Sequence, residues 1–203
     1  MSLIKDLRIA RDPERYWRSR GWGPEWRFPV PRPAGEALAL SIRIPVEWEA
    51  IDVLKMAPDV AQTPLPQAMA TLAREVDAAG VITVLGIARP VAREGKPDAH
   101  LFAILTCALT DVAGPAPDSI PGAEVEPIEL NHPNAPYRGV RVRRVRSANV
   151  SGKPPMSFLT VQYLVQTGHG WLATTFATPQ RDVFERLGPL LDKIAGATWL
   201  DPA

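Results

Sequence analysis

The chain carries one cysteine and three histidines in 203 residues, and that scarcity closes off several chemistries at once. No disulfide framework can be built, and no Cys pair exists to hold a zinc ion. At this length a chain buries enough apolar surface to fold without such staples. His100, His132 and His169 are too scattered for a His-x-x-x-His motif, so no metal ligand is assigned. There is no Gly-x-Ser-x-Gly elbow, no Gly-x-x-x-x-Gly-Lys loop and no Gly-x-Gly-x-x-Gly turn, which removes the recognisable signatures of serine hydrolases, phosphate-loop proteins and dinucleotide binders. No catalytic residue and no cofactor is therefore expected. Cys107 lies in the apolar run Leu101 to Leu109, where a thiol behaves as a small hydrophobe rather than a thiolate.

An excess of charge of one sign is also missing. The formal net charge is +1, which speaks against a general nucleic-acid or membrane binder. The opening residues are charged at Lys5, Asp6, Arg8, Arg11 and Asp12, so they lack the apolar stretch of a secretory signal, and a cytoplasmic location is the expectation. Asn149-Val150-Ser151 then reads as a chance sequon. Of the 23 basic residues 18 are arginine, and alanine and proline are abundant, a usage that fits a GC-rich coding sequence such as an actinobacterial one.

What is present falls into two parts. Residues 1–36 mix charges with Tyr16, Trp17, Trp22 and Trp26, then keep an extended backbone through Pro29, Pro31 and Pro33. They read as a short helix and an arm, whose tryptophans pack either on the domain or on a partner. Residues 37–203 read as a single α+β domain. Leu38, Leu40, Ile42 and Ile44 alternate with polar or small residues at the period of a half-buried strand, ended by Pro45. Trp48 and Ile51 follow in a strand return or corner. Thr63-Pro64 opens a helix whose stripe is Leu65, Met69, Leu72, Val76 and Ala79, stopped by Gly80.

Six strand-like runs come next, at 81–91, 101–111, 124–130, 137–146, 157–166 and 171–177, separated by Gly, Pro and Asn turns that suit antiparallel hairpins. Thr178-Pro179 leads into a last helix with Val183, Leu187, Leu190, Leu191 and Ile194 on one face. Gly188-Pro189 inside it predicts a kink, or two short helices meeting there.

The order strand, Pro-Trp corner, helix, antiparallel meander and final strand running into a helix resembles the Mog1/PsbP-like fold, especially its actinobacterial LpqN-like members. The residues that carry the likeness are Ser41-Ile42-Arg43-Ile44-Pro45-Val46-Glu47-Trp48, Thr160-Val161-Gln162-Tyr163-Leu164-Val165, and Trp171-Leu172-Ala173-Thr174-Thr175-Phe176-Ala177-Thr178-Pro179. It spans roughly residues 37–200. The resemblance implies an α/β/α sandwich, an antiparallel sheet flanked by helices, used to dock onto other proteins; the lipoprotein leader of LpqN-like proteins is not matched.

The sharpest polar feature is Arg138, Arg141, Arg143, Arg144 and Arg146. Val140, Val142 and Val145 alternate with them if a bulge falls between Arg143 and Arg144, which would put the valines inside and a basic ridge outside. Such a ridge binds an acidic protein, phosphate or nucleic acid. Equally, it pairs across strands with Glu124, Glu126 and Glu129. No aromatics interleave with it, which disfavours nucleic acid. Partner-binding candidates are thus Trp17, Trp22, Trp26 and the five arginines. The function expected is a non-enzymatic protein-interaction module, associated with type VII secretion or toxin neutralisation, with homo-oligomerisation left open. The alternative is a small-ligand-binding protein, or an enzyme with its site near His132.

Overall fold

The computed structural model describes residues 13–30, 37–52, 81–90, 100–110, 114–132, 137–148, 156–179 and 181–202. These residues are mainly antiparallel strand, with two helices. In chain order they are α1 (Pro13–Arg18), β1 (Trp22–Pro29), β2 (Leu38–Pro45), β3 (Glu49–Asp52), β4 (Val81–Pro90), β5 (His100–Thr110), β6 (Glu124–Leu130), β7 (Tyr137–Ala148), β8 (Met156–Thr167), β9 (Gly170–Thr178), α2 (Arg181–Gly196) and β10 (Thr198–Pro202). The six runs read from alternation are β4 to β9, and Trp48 does lead into a return strand. The helix read at residues 64–79 lies outside the described residues.

Two sheets form. One has the order β1-β2-β10; the other has the order β3-β4-β5-β9-β8-β7-β6. Chain neighbours β6 to β9 make a meander, but β5 pairs with β9 instead of β6. The proline-rich stretch after β5 is therefore a crossing between the middle of the large sheet and its far edge, not a hairpin loop.

One apolar core joins the sheets. Leu85, Ile87, Leu105, Cys107, Val161, Tyr163, Val165 and Phe176 of the large sheet pack with Leu40, Ile42 and Ile44 of β2 and with Leu191, Ile194 and Ala195 of α2. The large sheet is buried on its second face as well, at Val84, Ile104, Thr106 and Ala177. Helix α2 is one helix across Gly188-Pro189, not two. Pro189 is exposed, and on the water side of a helix a carbonyl that loses its donor to proline can be met by solvent.

β2 is not half-buried: all eight of its residues are buried. It is the central strand of its sheet, and α1 lies against the face that carries Ser41 and Arg43. The Arg43 guanidinium, 1% exposed, donates to Glu14 at 2.6 and 3.3 Å, to Glu25 at 3.0 Å and to the carbonyl of Gly23 at 3.2 Å. The Ser41 hydroxyl lies 2.7 Å from a Glu25 oxygen and 3.1 Å from an Asp201 oxygen, with one proton to donate to either. Trp17 caps this network, with the Arg43 cation 5.2 Å from its ring and Trp199 stacked on it at 5.8 Å.

The division at residue 36 consequently does not separate an arm from a domain. Residues 22–29 pair with 39–45, and Trp17 is buried. Each such tryptophan removes about 200 Å² from water, which at roughly 25 cal/mol/Å² stabilises by about 5 kcal/mol as an upper figure. A buried ion pair adds little net energy but costs much when half of it is removed. Replacing Arg43→Met should therefore lower unfolding free energy by about 3 kcal/mol in urea titration; a loss under about 1 kcal/mol would mean the guanidinium does not hold the segment down.

Candidate functional site

Strand β7 keeps an unbroken register with β8 from Gly139↔Val165 to Ala148↔Met156. The bulge expected between Arg143 and Arg144 is absent, and strict alternation sorts the five arginines onto two faces. Arg141, Arg143 and Val145 project to the face that carries Tyr163 and the core; Arg138, Arg144 and Arg146 project to the other, with Val140 and Val142. Val145 is 56% exposed, because it lies beyond Arg143, the last residue of β7 that faces β6. There is no single outward basic ridge.

The cross-strand pairing with acids is realised on both faces: on the core face Glu124 stands opposite Arg143 and Glu126 opposite Arg141, and on the other face Glu129 stands opposite Arg138. Arg141 Nε donates to Glu126, its Nη1 donates to Asp192 of α2 at 2.6 Å, and the Tyr163 hydroxyl donates to the same Asp192 oxygen at 2.7 Å. These bonds clamp α2 to the sheet. Hydrogen bonding to Arg141 holds the Glu126 carboxyl below its ordinary range, the bond to Glu126 raises the Arg141 pKa, and burial raises that of Tyr163. Arg143 reaches Glu126 at 3.6 Å. Arg138 is 4.0 Å from Glu129, with both side chains largely in water, where an ion pair is worth little.

Arg144 and Arg146 differ. Among the described residues neither has an acidic partner; burial and the neighbouring Arg146 charge push the Arg144 pKa down. Arg144 Nε is buried without a hydrogen-bond partner.

The tryptophans are placed inward. Trp17 stands edge-on to Trp22 at 5.8 Å, Trp26 stacks with Phe28 at 6.4 Å, and Trp22 and Trp26 both pack against the main core. As a free docking element the Trp arm is not what the structure contains, because sheet pairing of β1 directs these rings into the domain.

Trp17 and Trp22 also line a cleft of about 840 Å³ with Arg20, Glu47, Glu129, His132, Asp192 and Lys193. Gly196, where α2 ends, permits its closeness: a Cβ there would sit 2.8 Å from the carbonyl oxygen of Asn131. The His132 ring lies 4.9 Å from Tyr137 and 5.2 Å from Trp199. Burial pushes its pKa down to about 4, against a smaller upward pull from Asp201, so the imidazole is neutral at pH 7. Burial likewise raises Tyr137 to about 12. Cys107 does not share this cleft. It is fully buried in β5, its thiol pushed up to about 12, with Thr174 Oγ1 4.0 Å away, which is the setting of an inert thiol.

Sequence reasoning passed over Arg43, Asp192 and Asp201. An arginine in strand alternation reads as a solvent residue, and its burial depends on α1 and β1 arriving from elsewhere. No helix among the described residues is long and apolar enough to cross a membrane. Comparison with family models, curated proteins and solved structures finds no match for this chain.

Two outcomes follow from these contacts. Arg141→Ala should lower stability by about 2 kcal/mol, since bonds to charged groups are lost, whereas Arg143→Ala should change it by less than about 0.5 kcal/mol; equal losses in chemical denaturation would refute the division of labour. The unfolded chain binds a proton at His132 near pH 6.5 and the folded chain only near pH 4. Stability from this residue is thus present above pH 6.5 and lost as pH falls toward 4. His132→Phe, which keeps an aromatic ring in the stack, should flatten the fall in thermal midpoint over that window; parallel profiles for the two proteins would exclude His132 as its source.

Proposed function

We propose that this chain is a non-enzymatic, cytoplasmic protein-interaction module of the Mog1/PsbP-like α+β class, docking an acidic surface of another protein on Arg144 and Arg146. The observation that carries the reading is the contrast within β7. Arg141 and Arg143 are neutralised by Glu126 and Asp192, while Arg144 and Arg146 share one face two residues apart with no described acid to meet them. Guanidinium groups so placed can take carboxylates in bidentate fashion. The near-zero net charge favours a local acidic contact over the extended basic footprint that nucleic acid asks for. The LpqN-like resemblance supplies the setting: an actinobacterial partner linked to type VII secretion or to toxin neutralisation.

A second reading, a small-ligand or enzyme site, is favoured by one observation: a neutral His132 shares an aromatic-walled cleft whose lining also includes Glu129 and Asp192. It makes no use of Arg144 or Arg146, so the same variants separate the two readings. Tagged full-length protein should capture one stoichiometric protein from nuclease-treated host lysate. The double variant Arg144→Glu, Arg146→Glu, with its thermal midpoint unchanged, should lose that capture, and added salt should weaken it. Capture indifferent to both arginines, or no captured protein, would sink the reading.

A further inference from the structure

β7 is longer than the strand that guards it. β6 pairs with β7 from Leu130↔Tyr137 as far as Glu124↔Arg143 and stops, whereas β8 accompanies β7 on its other side to Ala148. Residues 144–148 therefore have a neighbour on one side and, among the described residues, none on the other. The cause lies just before β6. Ile120-Pro121-Gly122-Ala123 forms a tight turn, closed by Ala123 N–H donating to the Ile120 carbonyl at 3.1 Å. Gly122 has φ +70°, and proline followed by a left-handed glycine is the pattern of a type II turn. The chain thus enters the sheet at Glu124 and no earlier.

The edge strands themselves are guarded, and the comparable overhang of β4 past β3, Val81-Ile82-Thr83-Val84, carries no charge. β6 carries Pro127 and the exposed acids Glu124 and Glu129; β1 carries Pro24 and Pro29, β10 ends in Pro202, and β3 is four residues long. Proline and short length are the usual protections of a sheet edge. The overhang Arg144-Val145-Arg146-Ser147-Ala148 has no proline. Its side chains alternate, with Arg144 and Arg146 to one face and the exposed Val145 and Ser147 to the other.

We infer that the outer edge of β7 over residues 144–148 accepts an extended acidic segment of the partner protein as an added β-strand, an inference that rests on the docking reading above. Backbone pairing supplies the register, as in other strand additions. Carboxylates two residues apart on the incoming segment meet Arg144 and Arg146 on one face, and an apolar side chain between them covers Val145 on the other.

The probe is a short acetylated fluorescent peptide of alternating Glu and Val, titrated with the full-length protein and followed by anisotropy. Two further peptides carry N-methyl groups on alternate amides, one in each phase, so that one blocks bonds to the edge and the other methylates the solvent side. The parent peptide should bind and should slow hydrogen exchange at residues 145–148. One N-methyl phase should weaken binding at least roughly tenfold and the other far less. If both methylated peptides bind as the parent does, strand addition is overturned while charge docking on the arginines stands; failure of the parent peptide to bind overturns it too. Phase-selective loss together with lysate capture indifferent to Arg144→Glu, Arg146→Glu would keep the open edge and discard the docking reading.

Discussion

A single buried cation organises the small sheet. Arg43 sits on its central strand with almost no access to water, and a guanidinium cannot escape by losing its proton, since its pKa lies far above any working pH. It needs acceptors, and its two Nη atoms find them, while its Nε is buried without one. Glu14 comes from α1, Glu25 and the Gly23 carbonyl come from β1, and Ser41 ties Glu25 to Asp201 of β10. The N-terminal segment and the last strand are thereby brought to the same strand from sequence positions far apart. The Trp17 and Trp199 rings add buried apolar area to this contact, while the ion pairs tie named atoms of α1 and β1 to one position on β2. A purely apolar contact would not discriminate between one placement of α1 and another shifted by a residue.

The same logic, with a smaller burial, positions α2. Its apolar stripe only requires that Leu191 and Ile194 face the core, which a rotation of a few degrees would still satisfy. Asp192 removes that freedom, because its one oxygen receives both Arg141 and Tyr163. With α2 so fixed, its end at Gly196 meets Asn131, and the cleft between α1, β6 and α2 acquires its walls. The neutral state of His132 is a product of this enclosure, not of a dedicated partner charge, since burial outweighs Asp201.

How much of this was legible depended on whether the information was local. β4 to β9 were readable because each alternates or runs apolar between turn residues, and the acid-to-arginine pairing of β6 with β7 was readable because a short turn joins them. β1 was obscured by Pro29, Pro31 and Pro33, which read as an extended arm and not as a paired strand, and β10 by its brevity and Pro202. Arg43 looked like an outward residue because alternation says which side a residue takes, not what lies over that side. The face of each arginine in β7 was misread for a related reason. A bulge had been invoked to bury all three valines, but Val145 lies past the end of β6, so nothing in the core required it.

That last point bears on where the molecule is open. A strand edge is closed by a neighbour, by proline or by charge, and this chain places proline at three of its edges. Prolines there cannot be explained by turn formation alone, since Pro127 lies inside β6 opposite Val140. Where the turn at Pro121-Gly122 delays β6, the edge it uncovers carries arginines instead. Positive charge keeps two such edges from pairing with each other, because like charges directly opposite are destabilising. It does not repel an acidic strand, so on the docking reading proposed above the charge that disfavours pairing of two such edges would also select a partner by sign.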